Sequence, residues 1–250
     1  MKFNKKILYR FLIIFGLLFF IFNIDKIDNI KNSSSSRIIN KTHDQSFDLN
    51  KHSIDDPKSI WVIVNKKRKL NPEDFTPENL RLPNIPLRLP RDNPEMTIDD
   101  RAATALEEMY KDARNNSIDL KLASGYRSYD LQKIVYESNI KDLDKETTDK
   151  LSAKPGHSEH QTGLAFDLSA NDESCFLKSC FSDSKEGKWL AKNSYKYGLV
   201  VRYKQSTENI VGYTYEPWHF RFVGKELAKL IEDEKVPMEN IFNLPPAKDY

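Results

Sequence analysis

The rhythm of apolar and polar positions changes several times along this chain, and each change predicts a different element. Phe11 to Phe22 reads FLIIFGLLFFIF without a charge and follows Lys2, Lys5, Lys6 and Arg10, the layout of an export signal or a membrane anchor. Ile7 to Ile24 spans eighteen positions, broken by Arg10 and Asn23, which is the short end of a spanning helix. Asn23 to Asp28 offers no small-residue cleavage site, so an uncleaved anchor is favoured over a removed signal. Basic residues ahead of the apolar run put the amino terminus in the cytoplasm and the rest outside. From Asp25 to about Lys58 no apolar period is sustained, and Asn32 to Ser36 is wholly polar; this stretch reads as a disordered tether, in which His43 and His52 take no role. The chain thus divides into a basic start and membrane segment (1–24), a linker (25–58) and a folded domain (59–250).

Within the domain, Ile60-Trp61-Val62-Ile63-Val64 is β-branched and aromatic and predicts a strand. Leu70 to Pro94, rich in Pro and Asn, predicts an irregular wrap. Thr97 with Asp100 resembles a capping box, after which Ala102, Leu106, Met109, Tyr110 and Ala113 recur at helical spacing. Asp119 to Ala123 alternates as a half-buried strand does and is ended by Ser124-Gly125. Leu131, Ile134 and Val135 predict a helix running into the charged segment Lys141 to Lys150. Short strands are predicted at Gly163 to Leu168, Leu199 to Val201 and Trp218 to Val223. Helices are predicted around Trp189, Leu190, Asn193 and Tyr197, and over Lys225 to Glu234 with Leu227, Leu230 and Ile231 inward. The elements mix without a regular βαβ alternation. The class expected is α+β, a compact domain with a small central antiparallel sheet flanked by helices.

Composition narrows the partners. With 250 residues, 39% hydrophobic and 11% aromatic, one domain with a real core plus appendages is expected. The net charge is +2 and the basic residues are dispersed among acidic ones, so no nucleic-acid partner is indicated; a monomer is expected. Cys175 and Cys180 are the only cysteines. A close pair in an exported protein favours a disulfide, the alternative being two reduced, half-buried thiols.

The candidate chemistry lies in Ser158-Glu159-His160-Gln161-Thr162-Gly163-Leu164-Ala165-Phe166-Asp167 and Glu216-Pro217-Trp218-His219. His160, Asp167 and His219 supply two imidazoles and a carboxylate, the ligand set of a catalytic zinc site, which leaves one tetrahedral position open. Other divalent ions fit the same set. Pro217 holds Glu216 extended, and in a polyproline-like stretch residues three apart return to one side. Glu216 can therefore stand beside His219 as a general base; a further zinc ligand is its lesser alternative. Arg127, just past a strand end, can stabilise a developing oxyanion or simply pair with a surface carboxylate. His157 is expected beside the site rather than in it.

Taken together, Ser124-Gly125-Tyr126-Arg127-Ser128 and the two motifs above resemble the three signatures of the zinc D-alanyl-D-alanine carboxypeptidases of the VanY type, in the same order, over about Trp61 to Phe242. The resemblance implies Zn2+ as cofactor, with His160, Asp167 and His219 as its ligands and Glu216 as catalytic base. It makes Arg127 the residue that polarises the scissile carbonyl, and Ser158 and Gln132 substrate-binding residues. The implied reaction is removal of the terminal D-Ala from peptidoglycan stem peptides by metal-activated water, outside the membrane, with a role in antibiotic resistance by analogy alone. An L,D-carboxypeptidase, a peptidoglycan endopeptidase and an inactive wall-binding module remain as alternatives. The Cys175 and Cys180 pair is not part of the resemblance and marks a loop particular to this chain's lineage.

Overall fold

The central sheet has four antiparallel strands in the order β3-β4-β6-β5, where β3 is Leu120–Ser124, β4 Ala165–Ala170, β5 Leu199–Tyr203 and β6 Glu216–Phe222. A two-stranded ribbon, β1 (Leu80–Arg81) with β2 (Ile98–Asp99), precedes it. The helices are α1 (Asp100–Asn115), α2 (Tyr129–Asp142), α3 (Lys145–Leu151), α4 (Lys185–Asn193), α5 (Glu208–Val211), α6 (Lys225–Glu234) and α7 (Met238–Ile241). This computed structural model describes residues 47–250, and the residues from Leu49 onward form one unit. The expected membrane segment, 1–24, lies outside the described residues, among which no helix is long and apolar enough to cross a membrane.

The main core is built where helical and strand periods agree. Ala102, Leu106, Met109 and Ala113 of α1 are buried with Leu120 and Leu122 of β3, Phe166 and Leu168 of β4, and Phe220 of β6. Truncating one such leucine costs about 2–5 kcal/mol. The cap of α1 differs from the sequence expectation. Asp99, not Thr97, accepts the Arg101 N–H with its side chain at 2.9 Å, because Thr97 closes the preceding 3-10 turn, Pro94–Met96.

Two further expectations are corrected. In Ile60 to Val64 the last four residues are buried and Ile60 partly so, but the stretch is not a strand. Its carbonyls are satisfied by a side chain instead of a neighbouring strand: Arg221 Nη2 donates to Ile60 O at 3.0 Å and to Val62 O at 2.9 Å. The stretch from residue 49 to 58, read from composition as tether, belongs to the domain. Ile54 O accepts from the Ile63 N–H and from Arg68 Nη2, and the His52 ring meets Trp61 edge-on at 4.8 Å. Its polar composition hid backbone hydrogen bonding that no apolar period reports. Cys175 and Cys180 form a disulfide.

Candidate active site

The sheet register itself assembles the floor of the site. Ser124 on β3 lies opposite Asp167 on β4, and Asp167 lies opposite His219 on β6. Side chains directly opposite in an antiparallel pair stand about 5 Å apart at Cβ, so strand pairing alone brings Asp167 and His219 into contact. His160 comes from the 3-10 turn Glu159–Thr162, which enters β4 through Gly163 at φ 70°. A side chain at this φ would be strained, and its Cβ would stand 2.7 Å from Leu80 Cδ2, so the reversal favours glycine.

Glu216 reaches the same place by a different route from the one expected. Residues three apart in a regular strand face opposite sides, yet Glu216 Oε2 is 3.9 Å from His219 Nδ1. Two steps along β5, Val201 to Tyr203, are matched by four along β6, Phe220 to Glu216. β6 therefore bulges around Pro217 to His219, and a bulge re-aims side chains. A bulged strand, not a polyproline turn, is what puts the carboxylate and the imidazole in one cleft.

That cleft, of about 260 Å³, is lined by Arg127, Gln132, Ser158, His160, Asp167, Glu216 and His219 together with apolar residues of α2, α3 and the loop closed by the disulfide. His160 Nδ1 is 2.7 Å from Gly125 O. A carbonyl only accepts, so Nδ1 carries the proton and Nε2 turns its lone pair toward Asp167, 3.5 Å away. His219 Nδ1 is 3.2 Å from Asp167 Oδ1, and its ring stacks on Tyr203 at 4.8 Å. Ser124 Oγ donates to Asp167 Oδ2 at 2.6 Å. Arg127 Nη1 donates to Gln132 Oε1 at 3.1 Å while Gln132 Nε2 donates to Ala153 O at 2.7 Å. Both ends of the Gln132 amide are thus engaged, and the residue braces the guanidinium. Ser158 is buried at the cleft, and its hydroxyl does not cap the turn that follows. His157 points elsewhere, with Nδ1 at 2.8 Å from Asn65 O and its ring edge-on to Tyr250.

The electrostatics of the polypeptide alone are uneven. Burial pushes the Glu216 carboxyl up to about 8; His219 pulls it the other way and Asp167 adds to the rise. Burial lowers His160 to about 4. Burial also opposes charge on His219, but the Asp167 and Glu159 carboxylates that face its two nitrogens outweigh it and raise the ring to about 9. Burial disfavours the Asp167 carboxylate too, yet His160 and His219 hold it below the usual range.

Glu159, beside His160 in sequence, is the residue whose role the sequence reading did not find. It is fully buried, and its Oε1 accepts from Arg202 Nε at 2.9 Å and Arg221 Nη1 at 3.0 Å. Its Oε2 faces His219 Nε2 at 3.6 Å. Burial works against its charge, but the two guanidiniums hold its pKa below the ordinary carboxylate range. Arg202 also forks onto Glu239 at 2.6 and 3.0 Å, and Asn65 Nδ2 donates to Glu239 at 3.0 Å. A signal was present: Arg202 and Arg221 interrupt the apolar strands Leu-Val-Val-Arg-Tyr and His-Phe-Arg-Phe, and arginines there demand a buried acid.

The cluster fits a metal ion. His160, Asp167 and His219 each offer a ligand atom within 4.8 Å of the others. Of seven buried side-chain polar atoms without a partner among the described residues, four belong here: Asp167 Oδ1, His219 Nε2, Glu159 Oε2 and Arg127 Nε. Buried polar atoms are rarely left unpaired. A cation held by Asp167 and His219 Nδ1 would satisfy the carboxylate and leave Nε2 as an N–H facing Glu159 Oε2, 3.6 Å away, a carboxylate placed as those that commonly orient metal-binding histidines are.

Comparison with known proteins agrees with this geometry. The VanY family, described as D-alanyl-D-alanine carboxypeptidase, matches residues 95–225. The putative carboxypeptidase YodJ of Bacillus subtilis is 37% identical over 190 residues, 76% of this chain and 69% of that protein. The LdcB LD-carboxypeptidase structure superposes with a TM-score of 0.71 at 37% identity, covering 75% of this chain and 87% of that one. A VanY D,D-pentapeptidase variant solved with Zn(II) gives 0.60 at 29% identity, covering 73% and 98%. With this match over half its length and a donor set suited to the Zn(II) held by that structural neighbour, the chain belongs to the VanY D-alanyl-D-alanine carboxypeptidase family of zinc-dependent peptidases.

Proposed function

We propose that this protein is a zinc D,D-carboxypeptidase that removes the terminal D-alanine of peptidoglycan stem peptides, tethered to the outer face of the membrane by its N-terminal segment. The observation that carries the reading is the convergence of His160, Asp167 and His219 in one cleft with Glu216 and Arg127. Zinc held by those three residues supplies Lewis-acid activation of water and of the scissile carbonyl. Glu216, whose side chain is only 13% exposed, accepts the proton of the attacking water as its oxygen bonds to the carbonyl carbon. The same carboxyl then hands that proton to the leaving nitrogen as the C–N bond breaks. Water is thereby divided between the shortened peptide acid and free D-alanine. Arg127, whose charge reaches both His160 and Glu216, faces the oxyanion that develops, with Gln132 bracing it and Ser158 at the substrate side. The disulfide supports export to an oxidising compartment.

A second reading has an observation in its favour. The LD-carboxypeptidase neighbour scores above the D,D-pentapeptidase, 0.71 against 0.60, so L,D-cleavage of tetrapeptides uses the same residues with a different fit. The test measures zinc content of the purified protein and D-alanine release from pentapeptide and tetrapeptide before and after chelation. D,D-activity predicts stoichiometric zinc and chelator-sensitive release from the pentapeptide alone; release from the tetrapeptide alone selects the second reading. Glu216→Ala is expected to keep zinc and fold while losing turnover by about a thousandfold or more, and undiminished hydrolysis would remove Glu216 from its role.

A further inference from the structure

The loop closed by the Cys175–Cys180 disulfide has a feature that folding alone does not explain. Glu173, Cys175 and Leu177 have φ of 58°, 56° and 46°, the left-handed region that costs non-glycine residues conformational energy and persists only where surroundings over-determine it. Those surroundings are present. The disulfide joins positions five apart, Cys175 packs against the main core, and the Arg88 guanidinium lies 4.6 Å over the Phe176 ring. The next apolar side chain, Leu177, is nevertheless 39% exposed and lines the catalytic cleft. An exposed leucine in a left-handed conformation adds little to the core, so its placement points outward, to whatever occupies the cleft.

The cleft is layered by exposure. The metal-site residues and Gln132 at its base are buried, whereas Leu177 and Leu151, which is 49% exposed at the end of α3, lie at its rim. Val135 and Trp218 add to the apolar lining. An enzyme that removes a single terminal residue must take the free carboxylate to depth, and the rest of the peptide then leads outward past the rim. We infer that Leu177, held by the disulfide, is a specificity-determining residue: it forms an apolar wall for the aliphatic groups of the substrate that precede the penultimate residue. This rests on the carboxypeptidase reading above and adds which end of the substrate the loop meets. The side chain touches no reacting atom, so its effect belongs in binding rather than in turnover.

The test compares a pentapeptide stem with N-acetyl-D-Ala-D-Ala, which lacks the outer residues, in wild type, Leu177→Ala and Leu177→Met. The expected result is that Leu177→Ala shrinks the preference for the pentapeptide, as a ratio of kcat/KM values, about tenfold through KM, a span typical of a few methylene contacts. Leu177→Met restores most of it. The Cys175→Ser, Cys180→Ser double variant should shrink the preference likewise with an unchanged far-UV spectrum, and Leu177→Ala carries the test if that variant misfolds. In the Glu216→Gln background, calorimetry should show pentapeptide binding weakened to the same degree by Leu177→Ala. An unchanged preference, or a loss shared equally by both substrates, overturns the inference while leaving the carboxypeptidase reading intact. A wild-type protein that releases D-alanine from neither substrate overturns that reading, and this inference with it.

Discussion

Two buried polar clusters meet at Glu159, and they are finished to different degrees. On one side Glu159, Arg202, Arg221, Glu239 and Asn65 exchange hydrogen bonds of 2.6 to 3.0 Å, and Arg221 spends its remaining donors on the carbonyls of Ile60, Val62 and Phe222. On the other, Asp167, His219 and Arg127 leave buried atoms unpartnered, as does the Glu159 oxygen that faces them. Both clusters carry the desolvation cost of charge in a protein interior, but only the first compensates it from within. Completeness marks a part of the fold, and incompleteness marks the place where something else must bind.

The two clusters should therefore fail in different ways. The largest effect is expected from Arg221→Met, which removes one of the two guanidiniums on the Glu159 carboxylate and unpairs three backbone carbonyls. Loss of one partner of a buried pair costs about 3–5 kcal/mol, read as a lowered urea midpoint with or without metal; a loss below about 1 kcal/mol would show that the cluster is not structural. Arg127→Ala should leave that midpoint nearly unmoved and lower kcat by about a hundredfold, or roughly 2.7 kcal/mol, with little change in KM. A rise confined to KM would move Arg127 from the transition state to substrate binding.

Glu159→Gln probes the junction itself. It keeps the shape and removes the charge that faces His219 Nε2, so zinc affinity should fall about 10- to 100-fold in competition with a chromogenic chelator. A variant that is only less stable, with zinc binding unaltered, would assign Glu159 wholly to the structural cluster. The smallest effect is expected at His157. Burial lowers its pKa, ahead of the opposing hydrogen bond to Asn65, so the folded state holds the ring neutral. As pH falls below the unfolded value of about 6.5, the unfolded chain gains a proton that the folded one refuses, and stability drops. His157→Gln should reduce the stability difference between pH 7.5 and pH 5.5 by about 1 kcal/mol or less, measured against wild type under the same conditions. An unchanged difference would mean that the ring titrates freely.

The sequence was most readable where a period and a burial face coincide. The helical spacing of Ala102, Leu106, Met109 and Ala113 gave α1, and Lys225–Glu234 was legible to its ends. The metal-site residues were legible because their chemistry is rare in combination. Three things were not. Ile60 to Val64 looks like a strand because β-branched residues suit any buried extended chain, and nothing local says that an arginine 159 residues away in sequence from Val62 will take the place of a partner strand. The bulge in β6 is a property of pairing with β5, which no single segment carries. The acid that answers Arg202 and Arg221 is Glu159, next to His160 in the chain, and nothing local ties it to the two strands it serves.

The link from Arg221 to Ile60 and Val62 has a practical corollary for anyone preparing this enzyme. A shortened form that starts at Trp61 deletes the Ile60 carbonyl and the Ile54 strap that steadies Ile63 and Arg68. The damage would pass through a single guanidinium to the glutamate behind His219. Starting at Phe47 keeps that attachment whole, so the choice of first residue, far from the catalytic motifs in the chain, sets how well the His219 imidazole is seated.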